Sequence, residues 1–126
     1  MTGALGILVL DDERDAADVL AAVLELYLPD AVIRVVYTGE DAVDAATKQR
    51  PDAAIFDLEM SGLGGEGAAR ALRSTFRDSR PFLIALSGNV LRLGELRDTG
   101  VFDYMLSKPV DVVALVELIQ AHVTEP

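Results

Sequence analysis

The sequence predicts one α/β domain, a parallel sheet with helices on both faces. Three observations predict it. Short runs that are apolar throughout recur along the chain, and longer stretches with helical spacing alternate with them. The chain has 126 residues and no cysteine, a length that fits one ordinary domain. Such a domain buries roughly two-thirds of its unfolded surface and needs no staples. Disulfides and cysteine-based metal sites are excluded.

Taken in order, "LGILVL" (5–10) is the first strand and ends at acids. "DERDAADVLAAVLELYL" follows; its Ala16, Val19, Leu20, Val23 and Tyr27 fall at i, i+3 and i+4 spacing and predict the buried stripe of a helix. "AVIRVV" (31–36) is the second strand, and "GEDAVDAATKQR" a second helix opened by Gly39. "DAAIF" (52–56) is the third strand, with "GEGAARALRSTFR" the helix after it. "PFLIAL" (81–86) leads to "VLRLGELRD", a short candidate helix with Gly94 inside it. Glycine there costs roughly 1 kcal/mol relative to alanine, so a short or irregular fourth helix is expected. "FDYML" (102–106), a joint at Pro109 and "VDVVALVELIQAHV" complete the pattern. Alternating strands and helices imply βαβ units. Strands with no polar face imply cover on both sides. No linker, repeat or low-complexity segment interrupts the chain, so 1–126 reads as one domain with no further domain after it.

Eleven basic against 21 acidic residues give a net charge of −10. That argues against direct binding of nucleic acid, which needs a basic surface. The start "MTGALGILVLDDE" has no basic leader. No apolar run approaches the ~20 residues of a membrane span. A cytoplasmic protein with no membrane contact is expected.

The architecture directs attention to the strand ends, because open α/β sheets bind ligands outside the carboxyl ends of their strands. Asp11, Asp12 and Glu13 follow the first strand; Asp57 follows the third; Ser87, Gly88 and Asn89 follow the fourth; Ser107, Lys108 and Pro109 follow the fifth. Carboxylates gathered in one crevice raise each other's pKa unless something positive intervenes. Mg²⁺ suits that gap, since it takes hard oxygen ligands and is commonly held by one or two carboxylates with phosphate oxygens. Lys108 adds a fixed positive charge, and the Ser87 hydroxyl can donate to an incoming oxygen. Such surroundings favour phosphoryl transfer, which is chiefly positioning and charge neutralisation. The carboxylate itself can be the nucleophile.

"ILVLDDE", "AAIFDLEM", "IALSG" and "MLSKPV", in this order and at these spacings, resemble the receiver domain of two-component response regulators over essentially the whole chain. The resemblance implies a flavodoxin-like (βα)5 fold, a five-stranded parallel sheet of order 2-1-3-4-5. It implies Mg²⁺-dependent (or Mn²⁺-dependent) phosphorylation of Asp57 by a histidine kinase or histidine phosphotransfer protein, in a monomer or weak homodimer. Residue by residue, it makes Asp12 the direct metal ligand and Asp11 a ligand through water. Asp57 and the Glu59 backbone carbonyl complete the metal set. Ser87 would bind a phosphoryl oxygen and move on activation, Lys108 would pair with the carboxylate and then the phosphoryl group, and Pro109 would follow a cis peptide bond. The domain would catalyse only its own phosphorylation and dephosphorylation. Phosphorylation would add a charge of about −1.5 to −2 and three acceptor oxygens, shifting the balance between two packings and so a protein-interaction surface.

Departures from the family pattern carry expectations of their own. Met105 stands at the switch position where the family usually has an aromatic residue, and Tyr104 should face the other side of the sheet. The glycines of "LEMSGLGGEG" predict a mobile loop after Asp57. Glu59 and Asn89 occupy positions that influence phosphoryl lifetime in the family. His122 reads as a surface or packing residue, and Met60 and Met105 as packing residues. A haloacid dehalogenase-type phosphatase is disfavoured, because its nucleophile follows the first strand with a second Asp two residues later, whereas this chain has "DDER". A flavin or nucleotide carrier is disfavoured by negative charge where a donor-rich loop belongs. A receiver that serves only as an interaction module is disfavoured by the complete site.

Overall fold

Each apolar run becomes a strand and each amphipathic stretch a helix. The computed structural model describes residues 4–79 and 81–123. The elements are β1 (Gly6–Leu10), α1 (Arg14–Tyr27), β2 (Val32–Val36), α2 (Gly39–Lys48), β3 (Ala53–Asp57), α3 (Gly64–Thr75), β4 (Phe82–Ser87), α4 (Val90–Arg97), β5 (Tyr104–Ser107) and α5 (Val112–His122). All four strand pairings are parallel, in the order β2-β1-β3-β4-β5. This is the flavodoxin-like (βα)5 arrangement that the sequence pointed to.

Strand alternation divides the core into two layers. Leu8, Leu10, Ala54, Phe56, Leu83 and Ala85 face α2, α3 and α4 through Ala42, Ala46, Ala69, Leu72 and Leu93. Ile7, Val9, Ala53, Ile55, Ile84 and Leu86 face α1 and α5 through Ala17, Leu24, Leu115 and Ile119. Burying a side chain such as Phe56 or Ile55 is worth about 1.5–3 kcal/mol. The central strand β3 is buried at all five positions, whereas the edge strands β2 and β5 are partly open.

One expectation is corrected. The buried stripe of α1 is Ala17, Ala21 and Leu24, not the Ala16–Val19–Tyr27 set. Ala16 is exposed, Val19 is 62% exposed and Tyr27 49%. The helix is apolar on several sides, so two overlapping sets satisfy the same spacing, and the sheet selects the one whose small alanines allow close approach. Leu20 is shared, packing against the α1–α5 layer.

The fourth helix is short, as its glycine suggested, running only from Val90 to Arg97 with the Asn89 side chain accepting from the Arg92 amide at 3.2 Å. α2 is capped in the same way by Thr38, which accepts from the Asp41 amide at 3.0 Å. Strands β3 and β4 each extend one residue beyond their apolar runs. Asp57 and Ser87 are therefore the last ladder residues, held by backbone pairing rather than by a loop.

Candidate functional site

The carboxyl ends of β1, β3, β4 and β5 meet in one crevice. Register places Leu10 beside Phe56, Asp57 beside Leu86 and Ser87 beside Ser107. Asp11, Asp12, Asp57, Ser87 and Lys108 lie at or just past those ends. The Lys108 amide donates to the Ser87 carbonyl at 2.9 Å, and the Leu58 amide to the Leu86 carbonyl at 2.9 Å, which fixes the rim of the crevice. The start of α3 closes against it from the other side. A Cβ at Gly65 would overlap the Asp57 carbonyl oxygen, so only glycine lets α3 approach this closely. Gly64 turns the chain into that helix with φ +67°.

Asp57 is 3% exposed, and its Oδ1 takes the Lys108 ammonium at 2.9 Å and the Glu59 amide at 3.1 Å. One carboxylate oxygen from each of Asp11, Asp12 and Asp57 lies within 4.8 Å of the others. Asp12 is exposed, whereas Asp11 is 8% exposed and accepts from the Glu13 amide at 2.9 Å. Asp11 thus also fixes the amide of Glu13, the residue just before α1. Burial pushes the Asp11 carboxyl up to about 6, the Glu13 hydrogen bond opposes this, and the Asp57 charge adds to it. For Lys108, burial acts to lower the pKa, but its hydrogen bond to Asp57 and the charges of Asp57, Asp11 and Glu59 leave it raised. The ammonium is therefore firmly held.

Three hard oxygen donors, one of them protonating unusually easily because it is buried and stands beside Asp57, make a donor set that fits a small divalent cation. Beside them a groove of about 490 Å³ opens, lined by Ala16, Leu20, Leu86, Pro109 and Val110 together with Asp11 and Lys108.

The sequence of residues 7–120 matches the family model described as the response regulator receiver domain. The chain belongs to that family. The receiver is 26% identical to a CheY-like response regulator receiver domain from Methylobacillus flagellatus, with a TM-score of 0.82 over 94% of this chain and 98% of that one. It is 32% identical over 103 residues to the response regulator MprA of Mycobacterium avium, covering 82% of this chain and 44% of that protein. It is 29% identical over 131 residues to a protein-glutamate methylesterase/protein-glutamine glutaminase of Pseudoalteromonas translucida, covering 97% of this chain and 32% of that one. The receiver therefore spans less than half of the length of each of these two curated relatives.

Other features of the receiver follow from its strand ends. The Lys108–Pro109 peptide bond is cis, as the resemblance implied. Met105 pairs with Ala85 and packs partly buried on the α2–α4 layer. Tyr104 is 46% exposed, one residue earlier on the strand and so directed to the opposite side. Met60 packs on the same layer as Met105, and His122 stacks on Phe82 with ring centroids 4.9 Å apart. The two methionines behave as packing residues, and His122 is an exposed residue whose ring stacks on Phe82. Among the described residues, no helix is long and apolar enough to cross a membrane.

The sequence marked Glu59 as a position that influences phosphoryl lifetime in the family, but not the partners of its side chain. That side chain reaches across from the end of β3 to β4. Its Oε1 accepts from the Ser87 hydroxyl at 2.9 Å and from the Gly88 amide. These two hydrogen bonds, Ser87 first, hold its carboxyl below the usual range. A glutamate two residues after a strand-end aspartate carries no such signal until the β3–β4 register is known.

Proposed function

We propose that Asp57 is the phosphoacceptor of a two-component or phosphorelay system. It would take a phosphoryl group from a histidine kinase or a histidine phosphotransfer protein in the cytoplasm. The observation that carries this reading is the ammonium of Lys108 seated at 2.9 Å on an almost fully buried carboxylate that stands beside two further carboxylates. A carboxylate used only to cap a turn has no need of such surroundings. The Asp57 oxygen attacks phosphorus; the O–P bond forms as the P–N bond to the donor imidazole breaks, and the electron pair returns to that nitrogen. Lys108 and the Glu59 amide hold Asp57 in one orientation, which removes entropy from the step. After transfer, Lys108 and the Ser87 hydroxyl face a group richer in charge and acceptors than the carboxylate it replaced.

Asp12, Asp57 and the Glu59 carbonyl would hold Mg²⁺ or Mn²⁺, with Asp11 acting through water. The cation would neutralise charge on the phosphoryl oxygens. Asp11, buried and raised toward 6, is the carboxylate that gains most from a nearby positive charge. Ser87, at 0% exposure, would follow the new group, and Met105 of β5, on the same face of the sheet, would fill the space that a moving Ser87 leaves.

The test is covalent. The chain is incubated with Mg²⁺ and acetyl phosphate and its intact mass is taken. One added phosphoryl group is expected, absent in Asp57→Ala. An unmodified chain, or labelling that survives Asp57→Ala, refutes the reading.

A further inference from the structure

We propose that the Glu59 carboxylate is a built-in occupant of the phosphoryl-oxygen subsite, holding Ser87 and Gly88 at rest and withdrawing when Asp57 carries a phosphoryl group. This rests on the reading of Asp57 as acceptor. Ser87 is wholly buried, and a hydroxyl has one proton to give. The nearest acceptor for that proton is Glu59 Oε1 at 2.9 Å, with the Asn89 carbonyl more distant at 3.5 Å, while the Asn89 amide donates to the hydroxyl oxygen at 2.9 Å. The Gly88 amide converges on the same Oε1. Even a Cβ at Gly88 would lie 3.2 Å from it, so the backbone lies directly against the carboxylate.

An anionic acceptor held by a hydroxyl and a backbone amide, one strand from Asp57, is what a phosphoryl oxygen would require of the same two donors. Both anions cannot use them together, because the proton is single and like charges repel. Glu59 is itself exposed, so it can rotate into water without repacking the core. The contact therefore acts as a gate that opposes phosphorylation by the worth of its hydrogen bonds and leaves the fold unaffected.

The experiment compares the full chain with E59Q and E59A. Phosphorylation by acetyl phosphate with Mg²⁺ is followed by intact mass, and the Gly88 amide by ¹H–¹⁵N NMR with neither donor nor metal. E59A should phosphorylate about tenfold faster, the worth of one charge-assisted hydrogen bond. E59Q keeps an acceptor oxygen without the charge and should fall between. The resting Gly88 amide should move far in E59A and less in E59Q, and the phosphorylated forms of E59A and the native chain should agree at Gly88. A rate in E59A no faster than native, equal rates for E59Q and E59A, or a Gly88 amide that does not move each overturns the gate. Absence of label on all three proteins overturns the acceptor reading of Asp57 and the gate with it.

Discussion

Replacing Asp11 by asparagine should stabilise the metal-free protein, and the gain should depend on pH. Asp11 is 8% exposed, and its carboxyl is raised from 3.8 to about 6. That rise makes the ionised form about 3 kcal/mol less favourable in the folded chain than in the unfolded one. The sign follows from the direction of the shift. A raised carboxyl binds its proton more tightly when folded, so its stabilisation is complete below about 3.8 and is lost as pH climbs through about 6. Asparagine retains an Oδ1 for the Glu13 amide, now 2.9 Å from the aspartate oxygen, and carries no charge at any pH. Urea unfolding in EDTA should show D11N about 1–3 kcal/mol more stable at pH 7.5 and nearly equal to the native chain at pH 4. In a thermal melt this is about 4 °C per kcal/mol at this chain length. Excess Mg²⁺ should narrow the difference, because the cation stabilises the native chain by mass action and finds one carboxylate fewer in D11N. A D11N protein less stable than the native chain at pH 7.5, or a difference that is flat from pH 4 to 7.5, would refute the claim that Asp11 is ionised at a cost.

Two glycines should answer in opposite directions. Gly65→Ala puts a methyl onto the Asp57 carbonyl oxygen; urea unfolding should show a loss of about 1–3 kcal/mol, with weaker phosphorylation because the acceptor strand is displaced. Gly94→Ala meets no atom within 4 Å and should stabilise α4, raising the urea midpoint by the equivalent of roughly 1 kcal/mol with the slope unchanged.

The strand ends were readable because their apolar runs stop abruptly at Asp11, Asp57, Ser87 and Ser107, the last followed by Lys108, and a parallel sheet brings those stops together whatever the helices do. The short fourth helix was readable from Gly94. The phase of α1 was not, because Ala16–Val19–Val23 and Ala17–Ala21–Leu24 obey one periodicity and only the sheet they pack against distinguishes them. The hold of Glu59 on Ser87 was not, because it spans 28 positions and depends on two strands lying in one register. A side-chain contact between elements is a property of the assembled sheet, whereas a strand end is a property of the local sequence.

The complete burial of β3 has a kinetic consequence. Its amides sit between two partner strands and beneath helices on both sides, so they open to solvent only when the whole domain unfolds, while α4 and the edge strand β5 can open on their own. The carboxylate that would react thus hangs from a strand whose amides should exchange slowly. Of the groups that would answer it, Ser87 ends the neighbouring strand and leads into α4, a short helix that can open locally. A chemical event at Asp57 would then be recorded where the chain opens more easily, beyond the strand that bears it.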